Sequence, residues 1–492
     1  MRRAVFGFAV LLTVQVALAP PARAQDSTTV TLAEAVALAV EQSPEVRRAE
    51  VADRGRSLAV RAARAQRLPD LAVQVSPQQR YGLGFDQTTG EVVSQTVETV
   101  SLGVGGSVPL YDGGRTRYAV REAERLRESA DASLDRTRQQ VALAVAEQFL
   151  TLLLDREIVS IEAEQLASAE AQERRVAELV EAGARARADL IAQQAVVAER
   201  RTALIVAQGA VERDAVVLAQ TVGLDPLGAY RFVGPDLDRL EASGVLDAPA
   251  ASLADLLDAA RGSRADRRAQ LLAIEAAEAS IGVASAAGRP RLDLSASLGS
   301  GYSSLQQRGV GDVPQIPVTL EDGTPVLIGG SPLLFPGDPT LETTPIFTQF
   351  ADNRSGSLGL TLTVPIFDRY QARRGVVEAQ IRAEDARVQL DALDRQLASE
   401  VSQALVEART ARARLDAAEA QVAAASEALR VEQDRYRLGA GTLYDVADAQ
   451  TRLANAQAQR AQAAYGLAFR RVLVRLAVGD VTVDGLASAL SN

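Results

Sequence analysis

The side chains able to do chemistry in this 492-residue chain are almost all carboxylates and guanidinium groups. The sequence has no His, Cys or Trp, and all 53 basic residues are Arg because Lys is absent too. A Ser-His-Asp triad, a Cys nucleophile, a His/Cys metal site and a Schiff-base Lys are therefore excluded. Paired carboxylates remain able to do acid–base work. Since the acids are scattered along helical faces, solvated surface is the simpler interpretation, and we predict no enzyme, cofactor or metal site.

Three carboxylates follow glycines at predicted helix starts. Asp445 and Asp448 follow Gly439 and lie three residues apart, so they share one helical face. Asp189 follows Gly183 in the same way, in a first turn where a carboxylate interacts favourably with the helix dipole. The four residues ending at Asp445 have the Thr-x-x-Asp spacing of a capping box, so this carboxylate also has a purely structural interpretation. Both glycines allow the positive φ that ends a helix.

The elements that position these residues occur twice, at an offset of 256 residues. Val108–Asp112 (VPLYD) returns as Val364–Asp368 (VPIFD), and the Gly-Ala pair at 183–184 returns at 439–440. A repeat this long predicts two structural copies of one architecture.

Each copy contains one very long helix and shorter ones. Residues 115–182 and 371–438 each run for 68 residues without Pro. Each would span roughly 100 Å, and the shorter helices 45–67 and 185–222 together reach roughly 90 Å. We therefore predict two short helices stacked end to end beside each long one, with coiled-coil-like packing.

Four segments alternate apolar with small polar residues, which predicts strands with one apolar and one polar face. They are about residues 70–76, 99–110, 291–302 and 355–366. Their lengths suit tilted strands that cross an outer membrane. Aromatic residues at both ends resemble interface girdles: Tyr111 and Phe367 at one end, and Tyr81, Phe85, Tyr302, Phe347 and Phe350 beyond the other. A half-buried soluble sheet is the alternative.

Four strands cannot close a barrel, and open sheet edges are not tolerated in lipid. The chain must therefore oligomerise, with about 8, 12 or 16 strands for two, three or four copies. The alternation of apolar and polar residues does not choose among these numbers of chains and strands.

The N-terminal residues predict a secretory signal peptide over 1–24, with Arg2 and Arg3 before an apolar run and a small-residue cleavage site before Gln25. Its removal takes away three Arg, so the formal charge goes from −10 to −13. An acidic chain predicts no nucleic-acid partner. The absence of Cys excludes a lipid-anchored N-terminal Cys.

Several motifs resemble the TolC-like outer membrane efflux family. They are VPIFD at 364–368 after an alternating strand, YRLG at 436–439, YDVADA at 444–449 and TLAEA at 31–35. The resemblance covers about residues 30 to 480. It implies a mixed α and β membrane protein with internal duplication: a trimeric 12-stranded outer-membrane β-barrel, four strands per chain, continued by a long periplasmic α-helical barrel.

The domain boundaries follow from this layout. We expect a signal peptide (1–24), a first efflux repeat (25–223), an equatorial linker (224–250), a second repeat (251–479) and a C-terminal tail (480–492). The Gly- and Pro-rich loop 303–354 separates the strands of the second copy, and we expect it to be extracellular and dispensable for the duct.

The resemblance implies an outer-membrane exit duct of a tripartite efflux pump, passing small molecules to the exterior. Its partners would be two further copies, outer-membrane lipid, a periplasmic adaptor (membrane fusion) protein and an inner-membrane pump or ABC transporter. Type I protein secretion is one alternative function. A secreted trimeric coiled-coil adhesin is another, although it would not explain two strand pairs placed symmetrically in one chain. A periplasmic adaptor would have a single helical hairpin.

The resemblance also assigns a periplasmic gate. Its residues would be Asp445, Asp448, Asp189 and Tyr436, with three-fold rings of Asp445 and Asp448 whose crowding would raise some carboxyl pKa values. In the family, this Tyr and an Arg after the second glycine form bonds between helices that hold the entrance shut. Gly441 stands at the position of that Arg, so its bond is absent here or is replaced, for example by one from Arg185 or Arg187.

The helix tips would dock the adaptor. The corresponding positions are Gly183 and Gly439 in the two turns, with Leu438 and Gly441 beside the second.

Overall fold

The computed structural model describes residues 28–85, 91–226, 228–234, 239, 252–321, 323–337 and 340–479. The predicted signal peptide, the C-terminal tail and most of the equatorial linker lie outside the described residues. Contacts divide the chain into two units. The helical unit comprises residues 1–48, 135–264 and 396–492, and the sheet unit comprises 49–134 and 265–395.

The principal helices come in pairs of equal length, one member from each predicted copy. The pairs are α1 (Leu32–Gln42) and α5 (Leu253–Ser263) with 11 residues, α2 (Pro44–Ala65) and α6 (Ala265–Ala286) with 22, α3 (Arg115–Glu181) and α8 (Gln371–Arg437) with 67, and α4 (Arg187–Val222) and α9 (Leu443–Val478) with 36. The long helices end one residue before the predicted ends.

Matching end signals explain the matching lengths. Thr31 and Ser252 form complete capping boxes at the starts of α1 and α5. Gly223 and Gly479 end α4 and α9 in the left-handed conformation, with φ of 87° and 81°. A glycine there terminates a helix without the steric cost of a Cβ atom.

In the helical unit, a short parallel strand pair lies close to the buried helices. β1 (Thr28–Thr31) pairs with β4 (Tyr230–Val233). Phe232 of β4 is 1% exposed and contacts the ring of Phe149 on α3 edge-on, with centroids 6.2 Å apart. Strand β4 falls within the range 224–250 predicted as the equatorial linker.

Helices α5, α8 and α9 meet in a buried joint of the same unit. The Arg264 side chain, at the end of α5, is 1% exposed, and it donates to Glu400 of α8 at 2.8 Å and to the Ala477 carbonyl of α9 at 3.2 Å. Ser263 donates to the Val478 carbonyl at 2.5 Å. A Cβ atom on Gly479 would lie 2.9 Å from the Ser263 hydroxyl, so the ends of α5 and α9 pack without spare room. The adjoining apolar core is formed by Leu256, Ala260, Leu397, Val401, Ala404, Leu405, Ala408, Val474, Ala477 and Val478.

The main sheet of the sheet unit is antiparallel and is formed by β2 (Asp70–Phe85), β3 (Val92–Tyr111), β5 (Arg291–Ser303) and β12 (Ser355–Thr363). Their order across the sheet is β12-β5-β3-β2. The first hairpin is longer than predicted, because pairing continues through Pro77 to the Phe85–Val92 pair. An edge strand tolerates Pro since one side of it needs no ladder hydrogen bonds. Tyr81 and Phe85 therefore lie within a strand. β12 ends three residues before the predicted position 366, ahead of Pro365, which has no N–H to donate.

The register gives the sheet one apolar and one polar face. Val73, Val104, Leu298 and Gly356 are in line across the four strands, and so are their neighbours two residues away. The apolar face consists of Leu71, Val73, Val75, Val100, Leu102, Val104, Leu292, Leu294, Ala296, Leu298, Leu358, Leu360 and Leu362. Ser, Gly, Thr and Asp occupy most of the other face. Leu358 is 76% exposed and Leu71 77%, so the part of the chain that the structure describes leaves this apolar face largely uncovered. Among the described residues, no helix is both long and apolar enough to cross a membrane.

The segment between β5 and β12 is folded, which the sequence did not predict. Its short strands form three antiparallel pairs, followed by a helix. They are β6 (Gln307–Val310) with β11 (Thr340–Thr343), β7 (Gln315–Pro317) with β10 (Leu334–Pro336), β8 (Leu327–Ile328) with β9 (Ser331–Pro332), and then α7 (Ile346–Asp352).

Candidate gate and docking residues at the helix turns

The turns from α3 to α4 and from α8 to α9 have the same backbone geometry. Gly183 and Gly439 have φ of 73° and 74°. Each turn is closed by a 2.8 Å hydrogen bond, from Ala184 N–H to the Leu179 carbonyl in one and from Ala440 N–H to the Arg435 carbonyl in the other. No atom lies within 4 Å of a Cβ built on either glycine. Glycine is therefore required at both positions by backbone conformation and not by space.

The Asp445 carboxylate belongs to the helix cap. It accepts from the Thr442 N–H at 3.0 Å and from the Thr442 hydroxyl at 2.7 Å, and the same hydroxyl accepts from the Asp445 N–H at 3.2 Å. These bonds, with a smaller effect of the Arg435 charge, hold the pKa of Asp445 below its ordinary value. Within one chain the direction is thus opposite to the one predicted from crowding in a ring.

Asp448, one turn further along α9, forms an ion pair. Its carboxylate lies 2.7 Å from the Arg452 guanidinium, four residues later, and the two side chains are 42% and 72% exposed. The structure places Asp445 and Asp448 on adjacent turns of α9, as predicted, but each has a partner within its own chain.

Asp189 differs from Asp445 although it holds the equivalent position in the first copy. The N-cap of α4 is Ala186, which has no hydroxyl, and it makes no side-chain cap bond. Over the described ranges, the Asp189 carboxylate has neither a hydrogen bond nor an ion pair. It is therefore the gate candidate whose charge is most available to another chain.

Tyr436 and Arg185, on opposite turns, lie against each other. The Arg185 guanidinium carbon is 4.4 Å from the centre of the Tyr436 ring, which is a cation–π contact. The Tyr436 hydroxyl is buried and has no hydrogen-bond partner in the described part of the chain. A cavity of about 640 Å³ opens beside the ring, with Arg175 and Arg437 on its walls. Of the two arginines suggested from the sequence, Arg185 is the one that contacts this Tyr.

Gly441 has little room for a side chain. A Cβ atom there would lie 3.2 Å from both the Arg435 Cβ and the Tyr436 nitrogen. Arg435 itself pairs with Glu432 at 2.9 Å, and its guanidinium lies 3.5 Å from the Ala440 carbonyl. An Arg therefore does lie beside this turn, but it comes from α8. The sequence gives no sign of it, because no spacing rule links Arg435 to Asp445.

Two large apolar side chains are exposed next to the second turn. Leu438 is 82% exposed and Tyr444 is 78% exposed. Leu438 was predicted from the sequence as a docking residue, whereas Tyr444 was not. Its position just after the helix cap, on the solvent side, is the signal that identifies it.

A sequence profile described as "Outer membrane efflux protein" matches residues 35–224 and 256–480. The chain is 26% identical over 473 residues to protein CyaE of Bordetella pertussis, an alignment that covers 95% of this chain and 88% of the relative. It is also 26% identical to outer membrane protein TolC of Escherichia coli, over 147 residues and 30% of each chain.

Solved structures share the fold. CusC has a TM-score of 0.70 at 17% identity, with 91% of this chain and 92% of that chain covered. VceC from Vibrio cholerae has a TM-score of 0.66 at 19% identity, with 91% and 96% covered. The open state of the MtrE outer membrane channel of Neisseria gonorrhoeae gives 0.67 at 21% identity, with 91% and 88% covered.

Proposed function

We propose, on the premise that the chain belongs to the outer membrane efflux protein family, that three copies assemble into a continuous channel. The chain is an outer-membrane exit duct and not an enzyme, and the family resemblance drawn from its motifs is confirmed.

The observation that supports the assembly is that, among the described residues, the sheet has an uncovered apolar face and two edge strands without a second partner, β2 and β12. Unpaired backbone groups at a sheet edge are too costly to expose to lipid. Pairing β12 of one copy with β2 of the next removes both edges, and three copies give a barrel of about 12 strands. The apolar face then meets lipid, while the Ser- and Gly-rich face lines the lumen.

The paired helices support a tunnel to which each chain contributes two similar halves, one from each internal repeat. Helices α3 and α8 have equal lengths, as have α4 and α9, and each half ends in the same glycine turn. Six such halves from three copies would surround one axis. The turns would then lie at the entrance, with the side chains of Asp189, Asp445, Asp448 and Tyr436 forming the gate.

The exposed Leu438 and Tyr444 at the turns support docking of a periplasmic adaptor, with an inner-membrane pump or ABC transporter behind it. Small molecules exported by efflux are the proposed cargo. Type I protein secretion is the second candidate, because the same duct serves either process.

Fractionation and transport assays test this function. The protein should be extracted from the outer membrane with detergent, and its deletion should increase retention of a fluorescent efflux substrate. Secreted proteins accumulating inside the deletion strain, with unchanged dye retention, would instead assign it to secretion. Recovery of the protein in the soluble periplasmic fraction would contradict its assignment as an outer-membrane duct.

A further inference from the structure

The edge of β5 is closed above β12 by two amide side chains. The last β12–β5 pair is Ser355 with Gly299. Beyond it, Asn353 donates to the Gly301 carbonyl at 2.7 Å. Gln349, which is fully buried, accepts from the Ser303 N–H at 2.8 Å and donates to the Ser303 carbonyl at 3.0 Å. Helix α7 and its C-cap thus take the place that a longer β12 would occupy, and their side chains hydrogen-bond the edge backbone groups of β5.

The two free edges of the sheet consequently differ in length. β2 has 16 residues and β12 has nine. Both strands adjoin helices at the same end of the sheet, so the extra residues of β2 lie at the other end, beside Tyr81 and Phe85. When β12 of one copy pairs with β2 of another, at least seven residues of β2 (16 minus nine) find no strand opposite them. That part of β2 faces the segment before β12, which is α7.

Both surfaces that would meet are apolar and exposed. On β2, Tyr81, Leu83 and Phe85 are 71%, 78% and 62% exposed. On α7, Phe347 is 85% exposed and Ile346 is 40% exposed. Large apolar side chains in such numbers at one level of the sheet indicate an interaction surface.

Strand length argues against lipid as the partner of this surface. Nine residues of a strand tilted by about 40° rise roughly 23 Å, close to the apolar band of about 25 Å in outer-membrane barrels. Sixteen residues rise roughly 40 Å, so the upper part of β2 extends beyond that band. Its apolar side chains therefore need a protein surface.

We infer that Tyr81, Leu83 and Phe85 of one copy pack against α7 of the neighbouring copy, so that hairpin and helix form an extracellular collar around the pore. The inference rests on the proposed trimer and adds a second contact between copies, above the strand pairing. It replaces the expectation that loop 303–354 is dispensable, because α7 belongs to that loop. The collar would hold neighbouring copies together outside the membrane.

The absence of Cys from the chain allows a clean cross-linking test. The variant Leu83→Cys/Phe347→Cys, treated in outer membranes with a short bis-maleimide that forms a thioether with each of two thiols, should give covalent dimers and trimers on denaturing gels. Each single-cysteine variant is the matched control and should stay monomeric. The variant Val73→Cys/Leu360→Cys tests the strand pairing on which the collar depends. β2 and β12 lie on opposite edges of one sheet, so only a link between copies raises the mass.

The outcomes separate the two ideas. Cross-links in both double variants support the collar. Cross-links in Val73→Cys/Leu360→Cys but not in Leu83→Cys/Phe347→Cys would overturn the collar and still support the proposed trimer. The absence of cross-links from both double variants would overturn the trimer as well. As a second measurement, Phe347→Ser should lower the temperature at which the trimer dissociates in detergent, while Phe335→Ser, on β10 of the same loop and 60% exposed, should not. Equal effects of these two substitutions would also overturn the collar.

Discussion

Removal of the Glu400 carboxylate should destabilise the joint of α5, α8 and α9 more than removal of its partner, Arg264. Glu400→Ala removes the carboxylate that pairs at 2.8 Å with a guanidinium that is 1% exposed. Losing one partner of a buried pair costs about 3–5 kcal/mol, and we expect about 3 because Glu400 is itself 34% exposed. Arg264→Met removes the buried charge and keeps an apolar stem, so only hydrogen bonds are lost, at about 1–2 kcal/mol.

Native-state hydrogen exchange, read by mass spectrometry over α5 and the end of α9, measures the local opening free energy. The double variant Arg264→Met/Glu400→Ala should cost no more than Glu400→Ala alone, since the buried guanidinium is absent from it. The coupling between the two sites should therefore exceed about 1 kcal/mol.

A second ion pair provides the matched control. Arg267 and Asp394 link α6 and α8 at 2.8 Å, but their side chains are 21% and 28% exposed, so water solvates both. Asp394→Ala should accordingly cost less than Glu400→Ala. Equal costs, or additive effects in the Arg264 and Glu400 variants, would refute the argument that burial of the guanidinium makes this joint sensitive.

Three further predictions concern function, pH and the turns. The double variant Asp445→Asn/Asp448→Asn should weaken cation preference, measured as the reversal potential in a salt gradient; an unchanged potential together with a less stable trimer would make Asp445 a cap only. Burial and the neighbouring Asp214 raise the pKa of Asp155 to about 6. Protonation of this carboxyl therefore stabilises the folded state fully below about pH 4, and the stabilisation is lost as pH rises through 6. Asp155→Asn should abolish this part of the pH dependence of unfolding, and an identical profile would contradict the assignment. Gly183→Ala should cost about 1–2 kcal/mol through its φ of 73°, measured by thermal unfolding, and a neutral effect would show that the turn relaxes.

The helices were predictable because their ends have local signals. The glycines at 183 and 439 and the box beginning at Thr442 fix boundaries within a residue or two, and these signals act over one turn of chain. The strands were harder, because Pro77 and the glutamines after it interrupt the alternation although pairing continues. Only the partner strand β3, which supplies the hydrogen bonds, reveals that β2 extends to Phe85.

The candidate gate was predictable by position but not by interaction. The sequence located Asp445, Asp448 and Tyr436, because a glycine and a helix start are local features. It offered Arg185 and Arg187 as alternatives but could not show that Arg185 covers the Tyr436 ring, since that contact joins the two internal repeats. The loop before β12 gave no pattern either, because its strands are only two to four residues long.

The mass of the detergent-extracted complex tests the central claim most directly. If four-stranded sheets close a barrel together, native mass spectrometry should give three chains, with β-structure retained in circular dichroism. A stable monomer with the same β signal would contradict the account, because its two sheet edges would then be tolerated without any partner.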